Sequence, residues 1–218
     1  MPAEPHSNPI QPMTEQPMTD HLVFRPLTPE LMDAFGTVLR GNLGSGCWCM
    51  FPRLTKRETL ALPGEGSVSQ RRREVMTELA RQEPAPGLLA FDGDEPAGWV
   101  AVAPRSELNR VDRSRATPRV DDVDVWVIPC VTVRKGWRGQ GIAVALIREA
   151  VRYAARHGAP AVEAYPRAGG ERTGDDNAYF GTVPMFARAG FDVIRDPLAN
   201  RPRNWVARLV MRYDLRQG

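Results

Sequence analysis

Apolar and polar positions along the chain sort into strand-like runs, helical stripes and polar breaks. Runs dense in branched and aromatic residues mark strands at Leu22 to Arg25, Leu88 to Phe91, Ala97 to Ala103, Val123 to Val133, Ala161 to Tyr165, Phe191 to Arg195 and Trp205 to Tyr213. Val123 to Val133 is the longest of these. Stripes with a period near 3.6 mark helices. Leu31, Ala34, Phe35 and Val38 recur behind Thr28-Pro29-Glu30, a cap residue followed by a proline at the first helical position, and Gly41 ends the pattern. Val75, Met76, Leu79 and Ala80 form the inward face of a helix over Ser69 to Arg81. The best-formed helix runs from Gly139 to His157. Ile142, Leu146, Ile147, Ala150 and Ala154 share one stripe, Arg148, Glu149, Arg152 and Arg156 lie opposite, and Gly158 caps the end. A short helix near Val183 to Ala189 stops at Gly190.

Asp92-Gly93-Asp94-Glu95 is a turn that folds its two flanking strands into a hairpin. Ser106 to Asp121 is polar, carries Pro118 and five arginine or asparagine positions, and predicts a mobile loop. The resulting order, β-α-α-β-β-β-α-β-α-β-β, predicts an α/β (α+β) domain with a mixed central sheet of about six to seven strands and helices on both faces.

Composition narrows the class. Of 218 residues, 42% are hydrophobic, enough for a sizeable core in one domain. Residues 1–20 hold five prolines and no apolar h-region, so they predict a disordered, Pro-rich tail rather than a signal peptide, with the domain over 21–218. Lys and Arg (29) interleave with Asp and Glu (26) for a net charge of +3, which points to no nucleic-acid partner. Arg71-Arg72-Arg73, followed by Glu74 and Glu78, reads as a solvated helix face. No apolar stretch approaches the roughly 20 residues a membrane helix needs, so no membrane partner is expected. An odd count of three cysteines fits a reducing, cytoplasmic setting.

The joint before the long helix carries the chemistry. A helix start leaves its first N–H groups unpaired at the positive end of the dipole, and Gly139 and Gly141 let an anion approach the backbone. This is a phosphate or pyrophosphate cradle. The Walker ending Gly-Lys-Ser/Thr is absent. The dinucleotide fingerprint fails at Val144 and sits too late in the chain.

Arg138-x-x-Gly141-x-Ala143 resembles the R/Q-x-x-G-x-G/A signature of the GNAT superfamily of acetyl-CoA-dependent N-acyltransferases. "MFARAGF" (Met185 to Phe191) is similar to that superfamily's closing helix and Gly-Phe step, and with the element order the resemblance covers roughly Leu22 to Tyr213. "CWCMFPR" (Cys47 to Arg53), "GLLAFDGDEPAGWVAVAPR" and "YFGTVPMFARAGFDVI" resemble a bacterial branch whose acceptors are mostly undefined. The resemblance implies a GNAT fold splayed between its fourth and fifth strands, and acetyl-CoA as acyl donor. The implied activity is transfer of an acetyl group to a primary amine of a small molecule or peptide. It places the CoA pyrophosphate on Arg138, Gly139, Gln140, Gly141, Ile142 and Ala143, and the pantetheine amides against Cys130, Val131, Thr132 and Val133. Pro129 removes a ladder donor, which a bulged strand at that place tolerates. A homodimer is left open.

Acyl transfer needs a base for the ammonium proton and an acid for the departing thiolate. Many members of the superfamily place a tyrosine four residues before the Gly-Phe step, where this chain has Phe186. Tyr179 is then the candidate acid, with a packing aromatic as the other reading. The mismatch also leaves open a module that binds CoA without catalysis. For the base, Asp122 and Asp124 alternate along the expected strand and Glu163 stands on the next; Asp124 is the candidate, with solvent-facing strand residues as the alternative. Trp48 and Arg53 are expected in the acceptor wall, with a purely structural loop as the other reading. Cys47-Trp48-Cys49 has no second Cys/His pair, and His6, His21 and His157 are scattered, so no metal is expected.

Overall fold

The structure, a computed structural model, describes residues 19–40, 46–169, 180–202 and 206–216. Tyr179 and residues 1–18 of the expected tail lie outside the described residues. One seven-stranded sheet runs in the order β1-β2-β3-β4-β5-β7-β6, built from β1 (Leu22–Pro26), β2 (Gly87–Asp92), β3 (Glu95–Pro104), β4 (Trp126–Val133), β5 (Ala161–Ala164), β6 (Asp192–Arg195) and β7 (Val210–Asp214). Only β4 and β5 pair in parallel; the other neighbours are antiparallel. The helices are α1 (Met32–Leu39), α2 (Lys56–Leu60), α3 (Val68–Leu79), α4 (Asn109–Asp112), α5 (Ile142–Arg156) and α6 (Val183–Arg188).

The central strands read as continuous apolar runs because helices cover both faces. On one face α5 lays Ile142, Leu146, Ile147, Ala150 and Ala154 against Val100, Val102, Ile128, Val131 and Val162, and Phe186 of α6 joins them. Burying each large aliphatic side chain stabilises the fold by about 1.5–3 kcal/mol. Gly98 sets the approach: a Cβ there would stand 2.8 Å from Leu146 Cδ1 and 3.2 Å from the Thr132 carbonyl oxygen. On the other face Phe35 and Val38 of α1 and Met76 of α3 pack on Leu89, Trp99 and Cys130.

Several expectations need correction. The segment 106–121 is no loose loop: a 3-10 turn (Arg105–Glu107) leads into α4, with Leu108 and Val111 buried. Arg105, only 1% exposed, ties it down by donating to Asp112 Oδ1 (3.1 Å), Tyr165 Oη (2.6 Å) and the Thr117 carbonyl (2.7 Å). Its charge hides a core residue from any hydropathy pattern. The strand expected from Val123 starts at Trp126, which leaves β3, with ten residues, the longest. Asp121, just upstream, is held by Arg212, and Asp122 and Asp124 stand in solvent rather than on a strand face. The last strand begins at Val210, not Trp205, which lies outside the described residues. Helix α3 starts one residue before Ser69 because Ser67 and Gln70 form a capping box. A second box, Thr55 with Glu58, starts the unexpected α2, a helix too short to show a stripe.

Candidate active site

The strand-to-helix joint forms the predicted cradle. Gly139 and Gly141 both take left-handed φ values (+83° and +82°), and Gly141 is the N-cap of α5. The first helical amides to find carbonyl partners are those of Val144 and Ala145, both on the Gly141 oxygen. The N–H groups of Gly139 to Ala143 therefore have no partner among the described residues. No side chain comes within 4 Å of a Cβ placed at Gly139, and only Thr19 Cγ2, at 3.6 Å, meets one at Gly141. Arg138 turns its Nε back to the Val133 carbonyl (3.1 Å), joining the cradle to the end of β4.

Beside the cradle the sheet splits. Strand β4 meets β5 only at Trp126–Val162 and Val127–Glu163, so Ile128 to Val133 have no strand on that side. The partner on the other side is β3, and there the register slips. Ala101 pairs with Cys130 and Ala103 with Val127, three steps on β4 against two on β3. The extra residue is a β-bulge at Ile128-Pro129, where a missing N–H interrupts nothing. The Arg134 amide bonds to the Ala97 carbonyl. Antiparallel pairs alternate between bonded and non-bonded, so Cys130 and Thr132 turn their backbone groups to β3. Val131 and Val133 turn theirs into the gap. Of the four residues expected to line it, Val131 turns its backbone groups into the gap and Val133 its N–H, its carbonyl being taken by Arg138. Cys130 and Thr132 spend their backbone groups on β3, and the Cys130 side chain packs in the core on the face away from α5.

Across the sheet from α5, at the end of β5, lies a cavity of about 240 Å³. Phe51, Arg110, Thr117, Tyr165, Phe180 and Arg208 shape it. Sequence reasoning missed all six. They come from the loop after α1, from α4 and the turn behind it, and from segments before α6 and β7, and no local pattern links them. Trp48 and Arg53, the residues expected here, bracket Phe51 in sequence and act behind the wall. The Trp48 indole donates to Ser69 Oγ (3.1 Å) and packs on Phe35, while Arg53 is buried and paired with Glu107 (3.1 Å).

Under the cavity runs a buried polar chain. Tyr165 donates to Glu163 Oε2 (2.6 Å) and accepts from Arg105, and Glu163 Oε1 takes two bonds from Arg212 (3.0 and 2.6 Å). Glu163 is 1% exposed with both oxygens engaged, so it serves the structure rather than a reacting amine. Burial pushes the Tyr165 phenol well above its usual range, and the Glu163 charge adds to the rise. Asp121, whose carboxyl is held low by hydrogen bonds from Arg212, closes the chain toward solvent. Asp124 stands apart, its side chain 98% exposed and 3.7 Å from Arg119.

The free thiols Cys47, Cys49 and Cys130 gather behind β4. Cys49 receives the Trp99 indole N–H (3.0 Å) and hydrogen-bonds Cys130; that bond raises the Cys49 thiol and lowers the Cys130 thiol. Among the described residues no group of three or more His, Cys, Asp or Glu could hold a metal ion. Nor is any helix there long and apolar enough to cross a membrane.

The family model "Acetyltransferase (GNAT) family" matches residues 52–191. No curated protein sequence matches the chain. Among solved structures it is similar to a putative acetyltransferase of the GNAT family from Desulfovibrio desulfuricans, with a TM-score of 0.51 at 16% identity over 88% of this chain and 98% of that one. Arylalkylamine N-acetyltransferase 2 from Aedes aegypti gives 0.52 at 14%, over 89% and 99%. The PaiA N-acetyltransferase from Thermoplasma acidophilum, solved in complex with coenzyme A, gives 0.52 at 13%, over 88% and 98%. At these identities the likeness is one of fold.

Proposed function

The chain belongs to the acetyltransferase (GNAT) family, and on that premise we propose that it moves an acetyl group from acetyl-CoA to a primary amine of a small molecule or peptide. One observation carries this reading: an empty-handed helix start opens directly onto a split sheet whose free strand edge points into the gap. When bound, acetyl-CoA supplies an activated thioester. The N–H groups of Gly139, Gln140, Gly141, Ile142 and Ala143 take the pyrophosphate, with Arg138 at the rim. Val131 offers its backbone N–H and carbonyl, and Val133 its N–H, to the pantetheine amides, with Cys130 and Thr132 holding that edge in place through their pairing with β3.

The acceptor enters from the opposite face, through the cavity under Phe51 and Phe180. Trp48 and Arg53 hold that wall in place. Asp124, open to water before β4, takes the amine proton by way of solvent. Phe186 is buried without a hydroxyl, so Tyr179 is the proposed donor to the departing thiolate. The three free thiols suit a cytoplasmic setting. The same bare Phe186 favours the competing reading of a CoA-binding module without catalysis. Turnover of acetyl-CoA with a panel of amines, alongside calorimetry with CoA, separates the two. Tyr179→Phe should lower turnover by roughly 10² to 10⁴-fold with CoA affinity kept. A panel that yields no acetylated amine while CoA binds tightly rejects the enzyme reading.

A further inference from the structure

We propose that the cavity beyond β5 selects its acceptor by a negative charge: it takes a primary amine that also carries a carboxylate on a compact aromatic body, and Arg110 reads that carboxylate. This rests on the acetyltransferase reading of the same site and adds the chemical class of the acceptor.

The walls are aromatic and cationic. Phe51, Tyr165 and Phe180 provide ring faces, Arg110 and Arg208 provide two guanidinium groups, and among the described residues none that lines the cavity is acidic. Arg110 is held but not used up. Its Nε donates to the Phe51 carbonyl (2.7 Å) and the Leu54 carbonyl (2.9 Å), and its Cζ sits 4.3 Å from the Phe51 ring centre. Those contacts fix the plane of the guanidinium. The two terminal nitrogens make no hydrogen bond among the described residues, which leaves a pre-oriented fork suited to a carboxylate. Across the cavity Arg208 donates to the Tyr165 carbonyl (2.8 Å) with its Cζ 3.7 Å from the Phe180 ring centre, so both cations are stacked on rings that could also sandwich an aromatic ligand.

Three carboxylates near the cavity, among the described residues, are already engaged with other cations. Glu107 pairs with Arg53, Asp112 with Arg105 and Arg119, and Glu163 with Arg212 and Tyr165. A ligand carboxylate therefore meets a cationic wall. The same field disfavours an ammonium group inside the cavity, which lowers the acceptor's amine pKa and raises the share of the reactive neutral amine. It also excludes simple amines, which would bring a cation and nothing to balance it.

The test uses full-length protein saturated with CoA and two probes that differ only in the carboxylate, phenylalanine and phenethylamine. Binding is read by ligand-observed NMR titration. The wild type should bind phenylalanine at least about tenfold more tightly than phenethylamine, the scale of one charge-assisted hydrogen bond. Arg110→Ala should erase that preference, and Arg110→Lys, which keeps the charge but loses the fork, should retain part of it; both should bind CoA as the wild type does. Equal binding of the two probes, a preference for phenethylamine, or binding of neither overturns the proposal. So does an Arg110→Ala protein that is folded and keeps the preference. Failure of the wild type to bind CoA would count against the acetyltransferase reading instead, and the probe pair would still judge the carboxylate.

Discussion

Replacing Gly141 by glutamate puts a carboxylate where the free N–H groups of the cradle converge, and the structure sets the size of each consequence. Gly141 sits at φ +82°, ψ −6°, so any side chain there adopts a left-handed conformation, at a cost of roughly 1–2 kcal/mol. Against that, an acidic group at a helix N-terminus gains about 0.3–1 kcal/mol. Space is no obstacle, since the nearest atom to a Cβ is Thr19 Cγ2 at 3.6 Å. The net loss is therefore at most about 2 kcal/mol, a melting-temperature drop of no more than about 8 °C for a domain of this size. Binding suffers more. A carboxylate roughly 5 Å from a phosphate charge, in an effective dielectric of about 20, repels it by about 3 kcal/mol. CoA affinity should fall by at least about 100-fold. Gly141→Ala carries the same backbone strain without the charge and should stay within about tenfold of the wild type. Isothermal calorimetry with CoA, on proteins whose melting curves show them folded, gives both numbers. A folded Gly141→Glu protein with wild-type CoA affinity would show that the helix start does not hold the pyrophosphate.

Arg212→Met should destabilise the fold by about 3–5 kcal/mol, because the buried Glu163 carboxyl would lose both hydrogen bonds that Arg212 gives it and be left desolvated without its cation; urea unfolding should also show part of this loss recovered in the double variant with Glu163→Gln. Phe186→Tyr restores a hydroxyl at the position usual for the superfamily, yet the ring is fully buried against Phe191, so a hydroxyl there loses its water and a loss of about 1–3 kcal/mol in the same assay is expected rather than a neutral change. Burial pushes the Tyr153 phenol from 10.0 up to about 12. A raised folded value means its contribution is complete below pH 10.0 and is lost as pH climbs toward about 12, so Tyr153→Phe should flatten the fall in stability across that window. An unchanged slope would contradict that assignment.

What could be read from the chain follows the range of the interactions involved. The stripe Ile142, Leu146, Ile147, Ala150, Ala154, the hairpin turn at Asp92 to Glu95 and the cradle glycines are each encoded within a dozen or so neighbouring residues, and each stands where the periodicity placed it. Pro129 fits the bulge that the family resemblance implied, since a missing N–H is tolerated where the ladder slips. The cavity beyond β5 had no such signal. Arg110 is one more charge in the polar run from Ser106 to Asp121, and Arg105 stands just outside it, until the fold carries them to Phe51 and Tyr165. A buried guanidinium is recognised by partners far away in sequence, and only chain folding brings those together. The pattern of apolar residues, with the local glycines, thus decides the strands, the longer helices and the cradle at the start of α5, since short-range backbone geometry suffices there. The sign and shape of the acceptor side depend on side chains from four separate segments, and their meeting is a property of tertiary packing alone.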